Sequence, residues 1–112
     1  MNIQIFGKRN CFDTQKAERY FKERHIPFQS IDLIKDGLSK GEMLSVRQAV
    51  GFEAMVDIGS KEYSRLNMAY LGNSPAAEEV LLNNPRLYRT PIVRNGRQAT
   101  VGYRPDVWKQ WQ

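Results

Sequence analysis

Residues Gly7-Lys8-Arg9-Asn10-Cys11-Phe12-Asp13-Thr14-Gln15-Lys16-Ala17 decide the fold, and they hold the chain's single cysteine. Ahead of them Ile3-Gln4-Ile5-Phe6 alternates in the manner of a strand. Behind them Ala17, Tyr20 and Phe21 fall on one face of a helical pattern, with Glu18, Arg19, Lys22 and Glu23 on the other. Cys11 is thus expected where a strand hands over to a helix. The first backbone N–H groups of a helix have no intrahelical partner, and the helix dipole is positive there. Both favour a thiolate, and Lys8, Arg9 and Lys16 add positive charge nearby in sequence. Such settings lower a cysteine pKa from about 8.5 into the range of about 3.5–7.5. A lone cysteine is more often a small buried hydrophobe. Position, flanking charge and loop together favour a reactive thiolate here.

At 112 residues, 41% hydrophobic and 26% charged, the chain is read as one domain with one core. No apolar run approaches the ~20 residues of a membrane span. The N-terminus lacks a charged-then-apolar signal pattern, so the mature chain is expected to start at Met1 and stay in the cytoplasm. One cysteine cannot close an internal disulfide, which fits a reducing compartment. The net charge of +5 suits an anionic ligand or an acidic partner. The basic residues are scattered and do not interleave with aromatics, so nucleic-acid binding is not expected. No metal site is expected either.

The remaining elements follow in order. Asp13 or Thr14 is expected to cap the first helix, which runs to about Arg24, and Pro27 ends that segment. Phe28-Gln29-Ser30-Ile31-Asp32-Leu33 reads as a second strand, completing a βαβ unit over residues 1–34. Residues 39–84 read as a helical insertion. Ser39 and Glu42 form a capping box ahead of Met43, Val46 and Val50, and Gly51 stops that helix. Phe52 to Ile58 is expected to be loop. Ser60 caps a short helix with Tyr63 and Leu66 inward, and Ser74-Pro75 starts another that packs Val80 and Leu81. Residues 88–112 read as a hairpin turning at Asn95-Gly96, then a helix opened by Pro105 with Val107, Trp108 and Trp111 toward the core. His25 is read as a surface residue at the helix end. This order is the thioredoxin-like (glutaredoxin-like) α/β arrangement, a mixed four-stranded sheet with a helical insertion between the second and third strands.

Three motifs then resemble one family. Cys11-Phe12-Asp13-Thr14-Gln15-Lys16-Ala17 is similar to the Cys-x-x-(Ser/Thr/Cys)-x-Lys-Ala stretch of the arsenate reductase and Spx-related thioredoxin-fold proteins. Leu87-Tyr88-Arg89-Thr90-Pro91-Ile92-Val93 resembles their Arg-Pro-Ile-Val segment, and Val101-Gly102-Tyr103-Arg104-Pro105 their close. The resemblance puts the family's cis proline at Pro91. The family's enzymes hold arsenate with three arginines, which fall here on Gly59, Thr90 and Arg104, so one is matched. The family's regulators switch through Cys-x-x-Cys, and Thr14 stands at the second position.

Three functions follow from the resemblance. The first is a thiol oxidoreductase with Cys11 as nucleophile. Lys8, Arg9, Thr14, Arg89, Thr90, Pro91 and Arg104 would bind the thiolate or an incoming oxyanion. No bound cofactor is implied; glutathione or a protein thiol, such as glutaredoxin or thioredoxin, would be the external reductant. The second is a regulator that, like Spx, binds RNA polymerase, although those regulators usually extend past the last helix and this sequence ends at Gln112. The third is a binding protein whose thiol chemistry has lapsed.

Overall fold

The computed structural model describes residues 1–111, and it is organised outward from strand β1 (Ile3–Gly7). Gln112, the last residue of the expected C-terminal segment, lies outside the described residues. β1 runs parallel to β2 (Phe28–Asp32), with Ile3 opposite Phe28 and Gly7 opposite Asp32. On its other side β1 pairs antiparallel with β3 (Ile92–Asn95), which pairs antiparallel with β4 (Gln98–Val101). The order β2-β1-β3-β4 is the expected mixed four-stranded sheet. Helix α1 (Phe12–Glu23) makes the crossover from β1 to β2.

Alternation along the strands sends neighbouring side chains to opposite faces. Ile3, Ile5 and Val93 point to one face, where they meet Ala17, Tyr20 and Phe21 of α1 and Trp108 and Trp111 near the C-terminus. Helix α8 (Pro105–Trp108) is fixed there by Trp108 Nε1, which donates to the buried Thr100 Oγ1 of β4 at 2.7 Å. Phe6 and Ile92 point to the opposite face, into the larger core with Met43, Val46, Met55, Leu81 and Tyr88. That core lies under α2 (Leu33–Asp36), α3 (Lys40–Val50), α4 (Phe52–Met55), α5 (Lys61–Arg65), α6 (Met68–Leu71) and α7 (Pro75–Asn83). The expected caps at Ser39, Ser60 and Ser74 all form, and Glu42 returns the reciprocal bond to the Ser39 N–H at 2.9 Å. Among the described residues no helix is long and apolar enough to cross a membrane.

Several boundaries differ from the sequence reading. Cys11 is itself the N-cap of α1, displacing Asp13 and Thr14 into the first turn. Leu33 leaves β2 because the Asp32 carboxylate accepts from the N–H groups of Ile34 and Lys35 and starts α2. The expected loop at Phe52 to Ile58 holds α4 and an antiparallel bridge between Val56 and Tyr88. Helix α6 was not legible in the sequence pattern. On α7 the fully inward residues are Ala77 and Leu81, while Val80 is half-buried against the same core. The hairpin turns on Gly96-Arg97, with Asn95 still in β3 and paired to Gln98. Only Gly96 of that pair has positive φ, 62°, as a turn with glycine at its first central position requires. The Asn95 amide also donates to Gln98 Oε1 at 2.9 Å, which keeps it in the ladder.

Candidate functional site

The site is assembled from two chain segments 79 residues apart. The first is the turn from β1 into α1. Cys11 caps α1 with extended backbone, φ −98° and ψ 111°, and its carbonyl accepts from Gln15 N–H. Asn10 before it takes φ 61°, which turns the chain sharply into the cap. Gly7 lets α1 sit close on β1, because a Cβ there would lie 2.2 Å from Thr14 Cγ2. The second segment is Leu87 to Pro91, running into β3. Its Thr90–Pro91 peptide is cis. Main-chain bonds hold it in place: Asp57 N–H donates to Leu87 O and Arg89 N–H to Met55 O, each at 2.7 Å.

The two segments meet at the sulfur. Thr90 Oγ1 donates to Cys11 Sγ at 3.2 Å, and Thr90 O lies 3.8 Å from the same atom. Cys11 is partly exposed. Burial pushes its thiol pKa up; the Thr14 and Thr90 hydroxyls and the N–H groups of Thr14 and Asp13 outweigh that, and the net is below the ordinary value. Thr14 Oγ1 is buried and has no partner within hydrogen-bond geometry among the described residues. It therefore acts on the sulfur as a nearby dipole, and Thr90 supplies the formed hydrogen bond.

Lys8 ties the two segments together. Its Nζ donates to Arg86 O at 2.9 Å and to Tyr88 O at 2.6 Å. Burial lowers its pKa, the Asp57 carboxylate and Cys11 oppose that, and Arg86 adds to it. The attraction between Lys8 and Cys11 is mutual by Coulomb's law, and at the sulfur it stands behind the hydroxyls and N–H groups. Asp57, which faces Lys8, is the charged neighbour that sequence reasoning missed. Nothing local to Asp57 signals a partner 49 positions earlier.

The chain matches the sequence pattern of the ArsC family over residues 6–111. The chain belongs to the ArsC family. Relatives include Global transcriptional regulator Spx 2 of Oceanobacillus iheyensis, 26% identical, with 100% of this chain and 94% of that protein covered. Global transcriptional regulator Spx of Staphylococcus aureus is 24% identical, covering 93% of this chain and 82% of that protein. Among solved structures, arsenate reductase from Vibrio cholerae superposes with a TM-score of 0.86 at 24% identity, covering 99% of this chain and 98% of that one. An arsenate reductase related protein from Brucella melitensis gives 0.71 at 20% identity, with 99% and 94% covered. Both fix the thioredoxin-like fold.

Against the ArsC-family arginine pattern, the cations here are placed differently. Arg104 caps the start of α8 and its guanidinium forks onto the Asp106 carboxylate, with contacts of 3.2 and 3.1 Å at an exposed position. Arg89 and Arg9 are exposed. Gly59 lies in a tight turn in which its N–H donates to Asp57 Oδ1 at 3.2 Å. Lys16 sets its ammonium 5.7 Å above the Tyr103 ring. Pro91 is buried, and its carbonyl accepts from Gly102 N–H at 2.8 Å. The side chains converging on Cys11 are therefore Thr90, Thr14 and Lys8. Among the described residues no group of three or more His, Cys, Asp or Glu is placed to hold a metal ion. The arrangement is a thiol held toward thiolate, partly open to solvent, with one cation beside it.

Proposed function

We propose that the protein is a thiol oxidoreductase that works through Cys11 alone and depends on an external thiol. The observation that carries the reading is the Thr90 hydroxyl donated to the Cys11 sulfur at the start of α1. A hydrogen bond from a hydroxyl and a helix N-terminus both stabilise the charged form that attacks. In the chemical step the Cys11 thiolate attacks one sulfur of a disulfide. A new S–S bond to Cys11 forms, the old one breaks, and the second sulfur leaves as thiolate. Since the sequence holds no other cysteine, a second molecule of glutathione or a protein thiol resolves the mixed disulfide.

Arsenate itself is a poor substrate in this reading. Gly59 and Thr90 carry no guanidinium where the family's enzymes use one, and Arg104 is engaged by Asp106. Each hydrogen bond to a charged group contributes about 1.5–3 kcal/mol, so two missing arginines remove about 3–6 kcal/mol. At about 1.4 kcal/mol per factor of ten, that is two to four orders of magnitude in kcat/KM. The test is arsenate-dependent NADPH oxidation coupled through glutathione and glutaredoxin. Turnover of about 1–1,000 per second, lost in Cys11→Ser, would show that the missing arginines do not matter.

A second reading is a regulator that binds RNA polymerase. The curated relatives named above support it, since both are transcriptional regulators and the chain spans most of their length. Retention of polymerase subunits on the immobilised chain, unaffected by Cys11→Ser, would favour it over the oxidoreductase.

A further inference from the structure

The pairing of β1 with β3 ends at Phe6 and Ile92. The next residue toward the site on the β3 side is Pro91, which has no N–H to carry the ladder further. Yet Cys11 and Thr90 meet beyond that point, with the Thr90 hydroxyl 3.2 Å from the sulfur. A hydrogen bond weakens steeply when its geometry drifts, so the segment that carries Thr90 has to be held. Main chain holds one side of it. Val56 and Tyr88 form an antiparallel bridge, flanked by the bonds from Asp57 N–H to Leu87 O and from Arg89 N–H to Met55 O. That bridge uses the Leu87 carbonyl and leaves those of Arg86 and Tyr88 to Lys8, whose Nζ donates to them at 2.9 and 2.6 Å. Lys8 stands three residues before Cys11, and Tyr88 two before Thr90. The lysine bonds therefore span the same gap as the contact between Thr90 and Cys11. The Asp57 carboxylate attracts the Lys8 ammonium more strongly than Cys11 does, so the lysine charge is partly compensated before it reaches the sulfur.

We propose that Lys8 is a positioning residue for the thiol: through the Arg86 and Tyr88 carbonyls it holds the segment that sets the Thr90 hydroxyl on the Cys11 sulfur, and its effect on the sulfur runs through that hydroxyl. The proposal rests on the reading of Cys11 as the nucleophile. Lys8 takes the place of the ladder bonds that a proline cannot make, and its donors matter more than its charge.

The experiment is a double-mutant cycle on the full chain: the unaltered protein, Lys8→Met, Thr90→Val and the double variant. Each is read by the pH profile of iodoacetamide alkylation at Cys11, and urea titration shows that each is folded. Lys8→Met keeps the alkyl stem and removes every donor. Each single variant is expected to raise the alkylation midpoint by about 1 unit. The double variant is expected to raise it by about 1 unit as well, because without the Thr90 hydroxyl Lys8 has nothing left to position. A cation that acts on the sulfur directly gives instead the sum of the two single rises, about 2 units, and that result overturns the proposal. A Lys8→Met midpoint equal to that of the unaltered chain overturns it too, with Cys11 still standing as the nucleophile. Lys8→Gln, which keeps a shorter amide donor, goes through the same cycle, so the answer does not hang on the folding of one variant. It is expected to give a smaller rise, again absent on the Thr90→Val background. An unaltered chain with its midpoint at or above about 8.5, that of a free thiol, overturns the nucleophile reading together with the proposal.

Discussion

Replacing Thr90 with valine removes one hydroxyl and keeps the branched shape, so it isolates the bond to Cys11 Sγ at 3.2 Å. A hydrogen bond to a charged group contributes about 1.5–3 kcal/mol. One pKa unit corresponds to 1.36 kcal/mol, so the full loss is about 1–2 units. The sulfur is partly exposed, and water takes over part of the lost bond, which brings the expected rise to about 1 unit. The rate then changes in opposite senses at the two ends of the titration. Below both midpoints the thiolate fraction falls about tenfold, while the more basic thiolate gains nucleophilicity with a Brønsted slope of about 0.4–0.5. The net is about a three- to four-fold slower alkylation at low pH and about a threefold faster plateau at high pH. The assay is the pH profile of alkylation by iodoacetamide, an uncharged reagent, with adduct mass as readout. Thr90→Ser is expected to keep the parent midpoint. A Thr90→Val midpoint equal to that of the parent would refute the role given to this hydroxyl.

Other predictions concern stability. The folded-state pKa of Cys11 is depressed, so its contribution is fully present above the unfolded-state value of about 8.5 and is lost as pH falls through the folded-state value. The stability gap between the unaltered chain and Cys11→Ser, measured by urea denaturation, should therefore widen with rising pH up to about 8.5–9. Gly7→Ala places a methyl 2.2 Å from Thr14 Cγ2, against a helix and a strand that cannot both hold position. A loss of about 1–3 kcal/mol is expected by denaturant titration, together with a slower Cys11 alkylation as α1 is pushed off β1. Tyr88 sits in the larger core with a hydroxyl that has no partner among the described residues, and its burial raises the phenol pKa. Tyr88→Phe should therefore leave the midpoint of thermal unfolding unchanged or higher, because a buried polar atom without a partner costs about 1–3 kcal/mol.

The elements that were legible in the sequence are those whose signals are local and whose length suits their period. The Ser39–Glu42 box, the Ser74-Pro75 start and the alternation of Ile3, Ile5 and Phe6 each lie within a few residues. Helices α4 and α6 are single turns of four residues, too short for a helical period to emerge. Leu33 reads as strand by composition, and only the use made of Asp32 turns it into helix. Asn95-Gly96 is a strong turn signal, yet the turn falls one residue later because the cross-strand amide contact of Asn95 to Gln98 holds Asn95 in the ladder. At the site, Cys11 and Thr90 were both legible as candidates. Asp57 was not, because it faces Lys8 from a segment whose packing no short motif encodes. The Arg104–Asp106 fork joins residues two apart, so it is a local contact that diverts Arg104 from the thiol.

The 79-residue separation between Cys11 and Thr90 has a consequence for biosynthesis. The cysteine leaves the ribosome early and the threonine late, so a nascent chain carries the thiol without its hydroxyl donor. Lys8 likewise waits for the carbonyls of Arg86 and Tyr88, 78 and 80 positions downstream. Until β3 docks beside β1, the sulfur lacks the Thr90 hydroxyl that holds it toward thiolate. The set of groups that lowers the thiol pKa is complete only in the finished sheet, so the midpoint of labelling at Cys11 is expected to fall as the chain matures.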